Sequence, residues 1–236
     1  MAKIIFQYDF KKDASIWVYF GRRRKKLYGF KAKVDFIPPE LLKQIRKTNK
    51  ESAEKIIYNY LINHPKKQIR HLIINQELKS LQETWRKIEN KFFRKLEKIT
   101  QRPIFTDKFK AYFTFANMFP YDEKENWFMV GVCSSLPNQI TTICHEVMHL
   151  QFLYYYREYC RKFISENQLQ DLKESLTFML NTDFNDVILT VDNGYSKHQK
   201  LREKLQKEWE KEKDFKKFLD KAIEITKKTK LETKKA

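Results

Sequence analysis

Residues 126–156 read NWFMVGVCSSLPNQITTICHEVMHLQFLYYY, and the way this stretch divides decides the fold class. Trp127–Val132 is a short apolar run rich in aromatic and β-branched residues, bounded by polar turns, which predicts a buried strand. Pro137 suits the first turn of a helix, and a helix is predicted from there past His149. Across the whole stretch Glu146 is the only formally charged side chain, in a chain that is 33% charged. Burial of a lone carboxylate among apolar neighbours is costly unless it is paired or serves an ion.

Upstream, Lys3–Phe10, Ile16–Phe20 and Leu27–Phe36 read as strands from their β-branched and aromatic content. Between the last two, Gly21-Arg22-Arg23-Arg24-Lys25-Lys26 has the look of a basic hairpin tip, which blunts a sheet edge or touches phosphate. Helices follow Pro38-Pro39. After a break at Asn63-His64-Pro65, the recurrence of Leu78, Leu81, Trp85, Ile88, Phe92, Leu96 and Ile99 marks one apolar helix face. Phe109–Met118 returns to strand, with a polar turn at Tyr121–Asn126.

Downstream, a second helix is expected after Ser165-Glu166-Asn167, a turn at Asp192-Asn193-Gly194, and one long charged helix from an N-cap at Ser196 to about residue 228. The expected fold is α+β: a small antiparallel or mixed sheet packed on an active-site helix and a second, ligand-bearing helix, with an N-terminal strand-plus-helix extension. The expected divisions are 1–104, 105–228 and a basic tail at 229–236.

Forty-eight Lys+Arg against 30 Asp+Glu give a net charge of +18. That suits an affinity for nucleic acid, ribosomes or another polyanion, although lysines on solvated helices give the same total. Three cysteines, Cys133, Cys144 and Cys160, are too few and odd in number for a disulfide framework. With no signal-peptide pattern and no apolar membrane span, a cytoplasmic location is expected.

The chemistry lies in His145-Glu146-Val147-Met148-His149. Residues four apart on a helix are about 40° apart on one face, so both imidazoles can converge on one ion such as Zn²⁺. Glu146, on the same turn, is placed to take a proton from a water that the ion acidifies. Chance alone yields about 0.01 such patterns for this composition. The competing structural reading is a polar turn in a core helix with both histidines hydrogen-bonded.

A catalytic zinc needs a third protein ligand. Phe152 and Tyr155 stand where a metzincin continuation requires Gly and His, and Glu158 faces away on the helix. Glu174, 25 residues after His149, is within reach of an antiparallel return helix. It lies off the apolar stripe of Leu169, Leu172, Leu176 and Met179, as a solvated residue would, and Asp171, Asp183 and the Cys133 thiol are the alternatives. Ser175–Thr182 is again free of charge, which favours burial beside the site.

His145-Glu146-Val147-Met148-His149 with Glu174 on a following helix resembles the gluzincin clan of zinc metallopeptidases, the thermolysin-like arrangement, over roughly residues 105–200. The resemblance implies His145, His149 and Glu174 as zinc ligands, and Glu146 as general base and proton shuttle. It also implies an upstream strand, Phe128–Val132, that pairs with an extended peptide. Phe178 departs from that pattern, since the family places an acid there to orient a ligand histidine; Asp183, Asp186 or Asp192 is left to supply it.

Gluzincins also use Tyr or His donors for the oxyanion, and Tyr195 and His198 after the Asp-Asn-Gly turn are the candidates. The expected function is therefore a zinc-dependent peptidase, a hydrolase acting on a peptide or protein substrate. The alternatives are a basic nucleic-acid- or ribosome-binding protein, or an inactive metallopeptidase relative that serves as a scaffold.

Overall fold

The computed structural model describes residues 2–23 and 34–229. It has a mixed α+β architecture with a small, open, four-stranded mixed sheet. In chain order its elements are β1 (Lys3–Tyr8), α1 (Phe10–Arg22), α2 (Pro39–Lys47), α3 (Lys50–Asn63), α4 (Lys67–Thr100), β2 (Lys108–Thr114), β3 (Tyr121–Asp122), β4 (Trp127–Gly131) and α5 (Leu136–Arg161). There follow α6 (Glu166–Leu176), α7 (Phe178–Asp183), a 3-10 turn (Ser196–His198), α8 (Gln199–Lys211) and α9 (Phe215–Lys228).

The chain forms two compact units, each drawn from separate stretches of the sequence. One comprises Ile4–Glu83 and Lys110–Gln139; the other comprises Met1–Lys3, Thr84–Phe109 and Ile140–Ala236.

The first unit holds the sheet, in the order β1-β2-β4-β3. β2 runs parallel to β4, from Lys110 opposite Trp127 to Thr114 opposite Gly131, while β3 pairs antiparallel with Phe128 and Trp127. β4 therefore has a neighbour on each side over Trp127–Phe128, so this part of the strand offers no free edge for a peptide. Among the described residues β1 and the short β3 are the outer strands.

Ile16–Phe20 is helical, not a strand. Asp9 caps α1 by accepting hydrogen bonds from the amides of Lys11 (2.7 Å) and Lys12 (3.0 Å). Ala14, Trp17 and Val18, with Ile16 and Phe20, are buried in a core shared with Ile37, Ile45, Ile57 and Leu61. Packing on a helical period overrides the strand propensity of an Ile-Trp-Val-Tyr-Phe run. Gly21 and Arg22 accordingly end a helix instead of opening a hairpin, and the rest of the expected tip, Arg24–Lys26, lies outside the described residues. So do 27–33 of the expected strand Leu27–Phe36, whose remainder, Val34–Phe36, carries no strand.

Asp13 on α1 is fully buried, with Thr114 Oγ1 donating to its Oδ1 (2.6 Å) and Tyr8 Oη to its Oδ2 (2.9 Å). Burial outweighs those bonds and pushes its carboxyl up to about 6.

The second unit is helical. Trp85, Phe92 and Phe93 of α4 form an aromatic cluster that Phe184 joins. Gln151 and Tyr156 of α5 fasten the chain after α4, through Pro103 O (3.0 Å) and Thr100 O (2.5 Å). A capping box between Ser165 and Gln168 starts α6. The long helix expected from Ser196 to 228 is instead a 3-10 turn followed by two helices, α8 and α9. Asp214 breaks it by capping α9 through the Lys217 amide (2.9 Å), which lets Phe215 and Phe218 fold back on Trp209. Residues 230–236 of the expected tail lie outside the described residues.

Candidate metal centre

The histidines stand one turn apart on α5, with ring centroids 4.2 Å from each other. A short turn between α5 and α6, closed by bonds from the Phe163 and Ile164 amides to Cys160 O (2.9 and 3.0 Å), returns the chain so that Glu174 meets them. Glu174 is only 4% exposed, although its place off the apolar stripe of α6 suggested a solvated face. α6 is buried on more than one side, because Lys173, Glu174 and Ser175 are as enclosed as Leu172 and Leu176.

One oxygen of Glu174 faces both rings. Oε2 lies 3.3 Å from His149 Nε2 and 3.5 Å from His145 Nε2. Ligands held at ~2.0–2.1 Å in a tetrahedron are ~3.4 Å apart, so these separations suit a small tetrahedral ion. Among the described residues, His145, His149 and Glu174 are the group whose ligand atoms come within 4.8 Å of one another. A donor set of two imidazole nitrogens and one carboxylate oxygen suits divalent transition ions, zinc and iron(II) among them.

Asp192 acts on the far side of His145, with Oδ2 2.6 Å from Nδ1. Burial would raise the Asp192 carboxyl, but His145 and Arg202 hold it down at about 2. An ionised carboxylate only accepts, so Nδ1 is the protonated nitrogen and Nε2 is turned toward Glu174. The carboxylate is itself fixed. Arg202 Nη2 reaches Oδ1 (3.0 Å) and the Asp192 carbonyl (2.7 Å), Thr177 Oγ1 is 3.0 Å from Oδ1, and Asn181 brackets the backbone on both sides. Gly194 makes room for this clamp. Its φ is +57°, and a Cβ there would come within 2.7 Å of Arg202 Nη1.

Of the three aspartates left open by the sequence, Asp192 is thus the one at the histidine. Asp183 accepts from Trp209 Nε1 (2.9 Å), and Asp186 pairs with Lys91 (2.9 Å) and Lys95 (2.5 Å).

The electrostatics of the protein's own groups divide the four central residues. For His145, burial alone would lower the pKa, but Asp192, Glu174 and Glu146 outweigh it and raise it to about 10. Burial and the Lys173 ammonium hold His149 down at about 3, a neutral imidazole. Glu174 is opposed by burial yet lies far below the usual carboxylate range because of both histidines and Lys173. Burial pushes Glu146 up to about 7 against the pull of His145 and Lys173. Its Oε2 is buried without a hydrogen-bond partner among the described residues, a state that a native structure rarely leaves unused.

His198 is fully buried and turned to Asp171, with Nε2 2.8 Å from Oδ1, and Lys197 shares the same oxygen at 2.7 Å. Tyr195 packs edge-on against the His198 ring at 5.7 Å. His198 is thus closed off from solvent. Cys133 is exposed, and Cys144 and Cys160 are buried; no cysteine belongs to the group of convergent ligands.

Sequence reasoning did not find Lys173, Thr177 or Arg202. A lysine or arginine normally reads as solvated, and only the absence of charge over Ser175–Thr182 hinted that this part of the chain is enclosed. No helix among the described residues is long and apolar enough to cross a membrane. Set against family models, curated proteins and solved structures, the chain finds no match in any of the three.

Proposed function

We propose that the chain is a zinc-dependent peptidase, gluzincin-like in its ligand set, with His145, His149 and Glu174 as the residues that would hold the ion. The observation that carries this reading is the meeting of two Nε2 atoms and one carboxylate oxygen beside a buried, unpartnered Glu146 oxygen.

Bound zinc would polarise an amide carbonyl and acidify a water. Glu146, raised toward neutrality by burial, accepts the proton of the attacking water and returns it to the leaving amine. Asp192 and Arg202 keep His145 in the tautomer that ligation requires. His149 and Glu174 are buried, which limits the access of bulk water to the shared carboxylate oxygen.

The test is the zinc content of the purified wild type and of Glu146→Gln, together with hydrolysis of a peptide library. The expected result is one zinc per chain in both proteins and hydrolysis only in the wild type. A wild type that takes up no zinc after reconstitution, or a Glu146→Gln chain with full turnover, overturns the proposal.

A further inference from the structure

Lys173 precedes Glu174 on α6, and its Nζ lies 2.8 Å from Glu174 Oε1. Its side chain is wholly buried. It lines a small pocket beside His149, with Leu96, Met148, Phe152, Leu176 and Phe215 as apolar walls. Burying an ammonium costs several kcal/mol unless an anion answers it, and lysines are almost never fully enclosed otherwise. Adjacent residues on a helix point ~100° apart and do not normally face each other. The lysine meets its neighbour because the apolar walls give its charge a carboxylate on one side and hydrocarbon on the other.

The two oxygens of Glu174 therefore have separate partners. Oε2 faces the imidazoles at 3.3 and 3.5 Å, whereas Oε1 is occupied by the ammonium. We propose that Lys173 is a positioning residue of the metal centre: by holding Oε1 it restricts Glu174 to ligation through Oε2 alone. This rests on the metal-centre reading given above.

The ammonium also cancels the carboxylate's charge, so two neutral imidazoles and a neutralised ion pair present no net charge to the ion. A metal so held keeps more of its own positive charge for the substrate than one bound by an unpaired carboxylate through both oxygens.

X-ray absorption at the zinc edge of the full chain, wild type and Lys173→Met, combined with zinc affinity by chelator competition, tests the proposal. The wild type is expected to lack the close zinc–carbon shell that a two-oxygen carboxylate produces. Lys173→Met is expected to gain that shell and to bind zinc about tenfold more tightly, since a nearby positive charge has gone. A two-oxygen signature in the wild type overturns the proposal, and that measurement decides even if Lys173→Met does not fold. A folded Lys173→Met with the wild-type spectrum and affinity also overturns it, since a lysine that merely fills space would give that result. Wild type that takes up no zinc overturns the metal-centre reading itself, which separates the two failures.

Discussion

His145 Nδ1 lies 2.6 Å from Asp192 Oδ2, and this contact fixes which face of the imidazole meets Glu174. Because Arg202 and Thr177 hold the same carboxylate, Asp192 is a rigid stop and not a mobile surface group. Replacing it with Asn keeps the shape but removes the charge. Asp192→Asn is expected to weaken zinc binding by about 10–100-fold, measured by chelator competition, with little change in secondary structure.

The raised pKa of His145 has a consequence for the metal-free chain. Its folded value, about 10, exceeds the ordinary 6.5, so the stability it contributes is fully present below about pH 6.5 and is lost as pH rises toward 10. Zinc uptake must displace that proton, so affinity should strengthen with pH over the same window. Urea unfolding of the apo protein and zinc titrations across that range check both signs. A His145→Gln chain should lose most of the slope in stability.

Asp13 gives the opposite sign to the usual carboxylate. Its folded pKa of about 6 lies above the ordinary 3.8, so the ionised form is penalised in the folded chain. Stability is highest below pH 3.8 as far as this group is concerned, and falls by about 3 kcal/mol as pH rises through 6. Asp13→Asn is expected to flatten that part of the pH–stability profile, read by chemical denaturation between pH 4 and 7.

Gly194→Ala is expected to destabilise the protein by about 1–3 kcal/mol, because the residue has φ +57° and the added methyl meets Arg202. If the loss arises as described, the variant also loosens Asp192 and lowers zinc affinity. Unfolding and chelator competition on the same preparation separate the two effects.

The sequence disclosed the parts of the site that depend on local spacing. His145 and His149 share a face because they are four residues apart on a helix, and the start of that helix, at Leu136, was readable to within a residue from Pro137. Ser165-Glu166-Asn167 announced α6. The capture of Glu174 and Asp192 depends on tertiary packing that no short window contains: the spacing of Glu174 was suggestive, but three aspartates competed for the place beside His145.

Lys173 was illegible for a related reason, since its charge predicts solvent and only its enclosure reveals its task. The strand reading of Ile16–Phe20 failed where β-branched and aromatic residues packed on a helical period, and the long terminal helix failed where Asp214 supplied a cap among similar-looking charges.

The clamp on Asp192 also orders events in time. A chain that emerges N-terminus first exposes His145 and His149 before Asp192, and Asp192 before Arg202 on α8. The motif helix can exist while its imidazole is still free to turn, and its orientation is settled only once α8 has docked. A nascent or truncated chain that stops short of Arg202 therefore carries the motif without the contact that fixes Asp192.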